Sequence, residues 1–426
     1  MRLLRLQLFD YRNFHRVDLA LAPGPSLFLG DNAQGKTNLL AAVYLLATTR
    51  DPRAESEAQL IRHESLEDIT PAARVVGDLE RAAGPLKVEI AVLGRPGPDR
   101  VGLLASKVAR VNGVPRRLSD AIGHLVAVLF TAEDIELIGG PPSLRRRYLD
   151  ITLSQVDRLY LAARQRLERL LLQRNHLLKR IREGAARGDE LSFWDEELAK
   201  DGGYIFHRRA EALTSLEALA TESHAGLAPS EELRLAYQPR LDASPSHIGQ
   251  SGPAPMPALG SPARGGPGVE RWQMLSRSGP AAAAQAYAAA LRRGLGRDIA
   301  AGMTLQGPHR DDLAVFLDGV PAGGYASRAQ QRTIALALRL AEARFLLSHR
   351  RDSPVLLLDD VLSEMDAARR LSVIQRLADY EQILITATDA DRFPPDFLSR
   401  AALFSVAAGN VEPLAQPAAI PKAGEA

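Results

Sequence analysis

The chain contains no cysteine. Disulfides, thiolate-ligated zinc and cysteine nucleophiles are excluded with it. Aromatic residues are only 5% of the 426, too sparse for a platform on which successive bases of a single strand would stack. Net charge is just +2, so an electrostatic case for nucleic acid must come from local clustering. No uncharged apolar run approaches the roughly 20 residues that span a bilayer. The opening segment, MRLLRLQLFDYRNF, is no signal peptide, because Arg2, Arg5, Asp10 and Arg12 interrupt any apolar core. A cytoplasmic location is the expectation.

What is present is an ordinary globular balance, 46% hydrophobic and 24% charged. The length allows two or three domains, or one large core carrying an insertion. Leu4, Leu6 and Leu8 alternate like one face of a strand, and Val17, Leu19 and Leu21 repeat the pattern. Ser26–Leu29 is a short apolar strand that stops at Gly30, and a helix follows from Lys36 to about Thr48. Val88, Ile90 and Val92 alternate again, and Asn112-Gly113 marks a hairpin turn. After Asp150 the period changes to three-four spacing through Leu153, Tyr160, Leu167 and Leu177, broken once by Arg174. A second amphipathic stretch runs from about Phe193 to Leu219. The two predict an antiparallel helical arm a few tens of ångströms long at about 1.5 Å per residue. Residues 239–269 are rich in Pro, Gly, Ser and Ala and predict a disordered loop. Strands return at Leu313–Leu317 and Val355–Leu358, and residues 412–426 read as a flexible tail.

Gly30-Asp31-Asn32-Ala33-Gln34-Gly35-Lys36-Thr37 fits G-x-x-x-x-G-K-[ST], with an apolar strand before it and an apolar-faced helix after it. The glycines let backbone N–H groups curl around phosphate oxygens. Lys36 supplies a point charge for the β- and γ-phosphates, and the Thr37 hydroxyl is a Mg²⁺ ligand. A chance Gly-rich turn rarely has both flanks correct. Val355–Leu358 ends in two acids, Asp359 and Asp360. A carboxylate at a strand end beside a phosphate loop is where a Walker B aspartate holds Mg²⁺. Asp359 is assigned to the metal and Asp360 to the attacking water. Alone, the pair would read as a solvated acidic turn. Ser327 opens a helix, Thr333–Leu347, and by itself would be a simple N-cap.

The order of these parts, phosphate loop, helical insertion, serine-capped helix, then paired acids, is that of ABC-type ATPases of the SMC and RecF kind. Over nearly its whole length the chain resembles the RecF family. The resemblance rests on Leu8–Phe14, Gly30–Asn38, Phe130–Asp134, Gly140–Asp150, Gln173–Asn175, Gly307-Pro308-His309-Arg310-Asp311-Asp312, Gln330–Thr333 and Leu358–Asp366. It implies an α/β fold with an ABC-type P-loop ATPase head built from both ends of the chain, residues 1–130 and 301–411, and an inserted helical arm domain, residues 131–300. It implies ATP and Mg²⁺ as cofactors and an ATP-dependent homodimer in which Ser327 of one subunit caps the γ-phosphate held by the other. Ser363–Asp366 would be the D-loop of that interface, Thr386–Thr388 would lie near a γ-phosphate switch, and Glu133 near the Q-loop position. Position 329 is Ala where the family signature has Gly, which bears on the strength of dimerisation and not on the fold. The implied role is recombinational gap repair and replication-fork maintenance, with slow, DNA-stimulated hydrolysis, helping RecO and RecR load RecA. The alternatives are an SMC-like structural clamp with negligible ATPase activity and an ABC-type nuclease subunit.

Between Arg145 and Arg187 stand twelve Lys/Arg and four Asp/Glu, a local excess of 12 − 4 = +8. Such a stripe could track the backbone of DNA, duplex or a single-strand/duplex junction, without sequence preference, and Arg145, Arg146 and Arg147 are the residues chosen for it. The bland alternative is a solvated arm face. His309 has no nearby Cys or His partner and is read as a structural or interface residue.

Overall fold

The computed structural model describes residues 1–96, 103–241, 267–363 and 365–414. Of the loop expected at 239–269, residues 242–266 lie outside the described residues, and so do 415–426 of the expected tail. In chain order the elements are β1 (Arg2–Tyr11), β2 (Phe14–Ala20), β3 (Gly24–Leu29), α1 (Lys36–Thr48), β4 (Ala72–Glu80), β5 (Leu86–Pro96), β6 (Leu103–Val111), β7 (Val114–Arg116) and β8 (Ala127–Phe130). Then come α2 (Pro142–Val156), α3 (Arg158–Arg182), α4 (Ser192–Ala225), β9 (Leu233–Gln238), α5 (Pro267–Ala301), β10 (Asp312–Leu317), β11 (Val320–Pro321) and α6 (Arg328–His349). The chain closes with β12 (Val355–Asp359), α7 (Ala367–Leu377), β13 (Gln382–Ala387), β14 (Ala402–Ala407) and β15 (Asn410–Pro413).

Two compact units result. One comprises residues 1–132 and 346–426, the other 133–345. The sequence reading returns the chain to the head at residue 301; in the structure residues 301–345, with Ser327 and most of α6, cluster with the helical insertion.

The first unit holds two six-stranded sheets, ordered β2-β1-β4-β5-β6-β7 and β15-β14-β3-β13-β12-β8. The first is antiparallel. In the second, β14, β3, β13, β12 and β8 run parallel and only β15 is reversed. Parallel strands are covered on both faces and read as unbroken apolar runs; Val355–Leu358 are fully buried accordingly. Helix α1 is apolar almost all round because it packs against both sheets. Gly77 makes room for it: a Cβ there would stand 2.8 Å from Leu46 Cδ1. The alternation expected of β1 is corrected at one residue. Leu6 and Leu8 are buried, but a register shift between Leu3 and Arg5 turns Leu3 inward and leaves Leu4 40% exposed.

The second unit is mainly helical, with a small sheet ordered β11-β10-β9. The expected antiparallel arm is formed by α3 and α4. Two mid-helix glycines let α4 and α5 approach closely: a Cβ on Gly202 would lie 2.4 Å from the Tyr287 ring, and one on Gly203 2.4 Å from the Ala284 backbone. Helix α5 is interrupted where Gly279 takes φ 78 ahead of Pro280. Arg174, the residue that breaks the apolar spacing of α3, is fully buried. It donates to Asp195 Oδ1 at 2.7 Å, Asp298 Oδ2 at 2.7 Å and Thr304 Oγ1 at 2.9 Å. No described helix is long and apolar enough to cross a membrane.

Candidate nucleotide site

The site lies in the first unit at the carboxyl ends of parallel strands, where open α/β sheets place their ligands. Strand β3 delivers Gly30, whose missing Cβ avoids the Val406 carbonyl oxygen 2.2 Å away. Ala33 takes φ 64 and Gly35 φ 109, so the loop turns sharply through left-handed backbone before α1 begins. Lys36 bends back over the loop. Its Nζ donates to the carbonyls of Gly30 at 2.5 Å and Asp31 at 2.9 Å.

Strand β12 lies two strands from β3, with β13 between them. This brings Thr37 and Asp359, 322 residues apart in sequence, together: Thr37 Oγ1 donates to Asp359 Oδ1 at 2.9 Å. The same carboxylate oxygen accepts from Thr386 Oγ1 at 2.9 Å, at the register position directly opposite on β13. Thr386 Oγ1 in turn accepts from the Asp360 N–H at 3.0 Å. Asp360 has left the strand conformation, with φ 54, and its Oδ1 is buried with no hydrogen-bond partner among the described residues. Such an orphaned acceptor at a functional site fits a donor from outside the described residues.

The Thr37 hydroxyl and the Asp359 carboxylate are hard oxygen donors at one point, as Mg²⁺ requires. Among the described residues no group of three or more His, Cys, Asp or Glu could form a cage of its own. The pair therefore fits a cation that completes its shell with phosphate oxygens and water, which is how Mg²⁺ is ordinarily held beside nucleotides.

Sequence reading missed the groups that brace this site. Asp51, at the end of the segment following α1, accepts from Tyr11 OH at 2.7 Å, Arg12 Nη2 at 3.0 Å and the N–H groups of Arg53 and Ala54 at 2.9 and 3.0 Å. Hydrogen bonding from Tyr11 and the Arg12 charge outweigh burial and keep the Asp51 carboxyl below its usual range. Arg53 then reaches Asp359 Oδ2 at 3.4 Å. Asn13, in the β1–β2 turn, donates to the Gln34 carbonyl at 3.1 Å and accepts from Asn38 at 2.8 Å. The polar run Arg50–Arg53 directly after an apolar helix was the available signal.

Ser327 lies in the second unit and forms a reciprocal cap with Gln330: its Oγ accepts from the Gln330 N–H, and its own N–H donates to Gln330 Oε1. Ser363 Oγ donates to the Asp360 carbonyl at 2.6 Å, and Asp366 caps α7 through the Arg369 N–H. The three arginines chosen for DNA lie on α2. Arg145 makes a two-pronged pair with Asp312, at 2.7 and 2.9 Å, and is only 12% exposed. Arg146 donates to the Asp311 carbonyl at 2.6 Å. Both tie α2 to the start of β10, and Arg147 is half-buried without an ion pair among the described residues.

A family model described as the RecF/RecN/SMC N terminal domain matches residues 2–395. The chain belongs to the RecF family. Its relatives include proteins named DNA replication and repair protein RecF from Chloroflexus aurantiacus, 40% identical over 95% of this chain and 98% of the relative, and from Herpetosiphon aurantiacus, 41% identical over 97% of this chain and the whole relative. A solved structure of the recombination mediator protein RecF-ATPrS in the RecFOR pathway superposes with a TM-score of 0.78 at 28% identity, covering 97% of this chain and 98% of that one. An Smc head bound to the C-winged helix domain of ScpA shares the fold alone, with a TM-score of 0.50 at 13% identity and coverage of 97% of each chain. The RecF resemblance and the ABC-type head with its inserted helical arm are thereby borne out.

Proposed function

We propose that this RecF-family chain is an ATP-dependent DNA-binding protein of gap repair and replication-fork maintenance, in which ATP with Mg²⁺ closes a homodimer on DNA and slow hydrolysis opens it. The observation that supports this most is the joining of Thr37, Asp359 and Thr386 at one carboxylate oxygen beneath the Gly30–Thr37 loop. Backbone N–H groups and Lys36 would take the triphosphate, Thr37 and Asp359 the metal, and Asp360 the attacking water. Ser327 would meet the γ-phosphate held by a second copy. The family relationship supports cooperation with RecO and RecR in loading RecA.

Sedimentation with and without ATP tests the switch. The wild type should dimerise with ATP and Mg²⁺, and Lys36→Ala should not; dimers that persist in the variant would remove ATP as the link. A second reading is a structural clamp with negligible hydrolysis; Ala329, standing where the family signature has Gly, bears on how strongly two copies pair in either reading. Turnover separates the two. A rate well above that of Asp360→Ala supports the switch, and equal, near-zero rates support the clamp.

A further inference from the structure

The run Gly307–Asp312 is a sequence mark that the nucleotide site does not use. Nearly all of it is engaged within the second unit. Gly307 takes φ 130, and a Cβ there would lie 2.2 Å from the Tyr287 hydroxyl. The Pro308 carbonyl accepts from buried Arg209 at 2.6 Å. His309 shares a hydrogen bond with the Thr304 carbonyl at 3.1 Å, and burial pushes its pKa down to about 4, so the ring is neutral. Asp311 is enclosed by Arg209, Tyr237 and the Arg240 N–H, and Asp312 holds Arg145. Only Arg310 points outward. It is exposed, and among the described residues its guanidinium makes one hydrogen bond, to the Met303 sulfur at 3.5 Å. A guanidinium on so rigid a turn is pre-organised for something outside the chain.

Two more cations meet at the same place. A Cβ on Gly302, next to Met303, would lie 2.8 Å from Arg182 Nη1 and 3.2 Å from Lys179 Cγ. Arg182 also donates to the Ala301 carbonyl at 3.4 Å. Lys179, Arg182 and Arg310 are all exposed and have no carboxylate partner among the described residues. By contrast Arg145, Arg166, Arg174, Arg208 and Arg209 are all ion-paired. Complementing the carbonyl end of α3 accounts for Lys179 and Arg182. It does not account for Arg310, which stands on a different segment.

We infer that Lys179, Arg182 and Arg310 form a phosphate-binding strip for the backbone of duplex DNA, set on the arm around the Gly302–Met303 turn. The inference rests on the DNA-binding reading above and moves its location away from Arg145 and Arg146. Exposed cations without base-reading amides or stacked aromatics favour backbone contact without sequence preference.

The test is fluorescence anisotropy of a labelled duplex across a salt series, with ATP and Mg²⁺, on the full chain. Each phosphate contact contributes about 0.9 to the slope of log K against log salt. The double variant Arg182→Glu with Arg310→Glu should flatten that slope by about 2 and weaken binding at least about tenfold at moderate salt, while Arg310→Lys keeps the slope. Unchanged melting and ATP binding would show that the variants are folded. A wild type that binds no duplex would defeat the DNA-binding reading itself. A wild type that binds, with an unaltered slope in the double variant, would overturn the strip alone. Displacement of the duplex by poly-glutamate as readily as by unlabelled duplex would reassign the strip to an acidic protein partner and overturn it as a DNA contact.

Discussion

Replacing Thr386 by Val removes one hydroxyl and leaves the shape of a side chain that is 1% exposed. Besides a long 3.4 Å bond to the Leu358 carbonyl, two interactions at the site vanish together. Asp359 Oδ1 loses a donor at 2.9 Å, and the Asp360 N–H loses its acceptor at 3.0 Å. A buried donor left unpaired costs about 1–3 kcal/mol, and a hydrogen bond to a charged group contributes about 1.5–3 kcal/mol. Stability of the first unit should therefore fall by a few kcal/mol. The functional effect is separate. With one of its two orienting hydroxyls gone, the Asp359 carboxylate can turn, and loss of such an orienting partner typically weakens metal affinity about 10–100-fold. That is about 1.4–2.8 kcal/mol. Calorimetry of ATP binding across a Mg²⁺ titration is the assay, with Thr386→Ser as the control that keeps the hydroxyl and loses only a methyl. Equal Mg²⁺ dependence in the Val and Ser variants would refute the reasoning.

Three further outcomes are expected. Gly35→Ala places a Cβ 2.3 Å from Asn13 Nδ2 at φ 109, so ATP binding should fall sharply and be regained only in part when Asn13→Ala is added, because the backbone strain remains; full recovery in the double variant would mean that φ is irrelevant there. Arg209→Met leaves Asp150 and Asp311 without their buried cation and should destabilise the second unit by about 3–5 kcal/mol in denaturant unfolding; a loss under about 1 kcal/mol would contradict it. The pH profile should carry two opposed trends. His309 has a folded pKa depressed from 6.5 to about 4 by burial, so its contribution is present above pH 6.5 and lost as pH falls toward 4. Asp311 has a folded pKa raised by burial from 3.8 to about 6, so its contribution is fullest below pH 3.8 and lost as pH rises through 6. In His309→Gln the second trend stands alone, and melting temperature should drop more steeply between pH 4 and 6 than in the wild type; parallel profiles would rule this out.

Local pattern made the nucleotide loop legible: the strand before Gly30, the helix Lys36–Thr48 and the paired acids all fall where spacing places them. The Asn112-Gly113 turn was readable for the same reason, and both residues take positive φ. Pattern failed where long-range partners decide. Arg174 looked like a flaw in an apolar stripe, yet its acids stand 21 and 124 residues away. Arg145 and Arg146 looked like free cations because nothing nearby in sequence announces Asp311 and Asp312, more than 160 residues on. Leu4 was placed on the wrong face because a bulge is invisible to strict alternation.

The strand order of the parallel sheet sets when a nascent molecule can first hold its ligand. Between β3 and β8, both made early, lie β13 and β12, which emerge only after the whole insertion. Until β12 and then β13 have left the ribosome, β8 and β3 lack their neighbours in this sheet and α1 has only part of its apolar surround. The arm unit is not bound by that schedule, since its residues are contiguous, and it can fold while the other waits. A polypeptide cut short before Val355 would thus carry a finished arm and no grip on a triphosphate, so completion of synthesis and competence for the nucleotide arrive together.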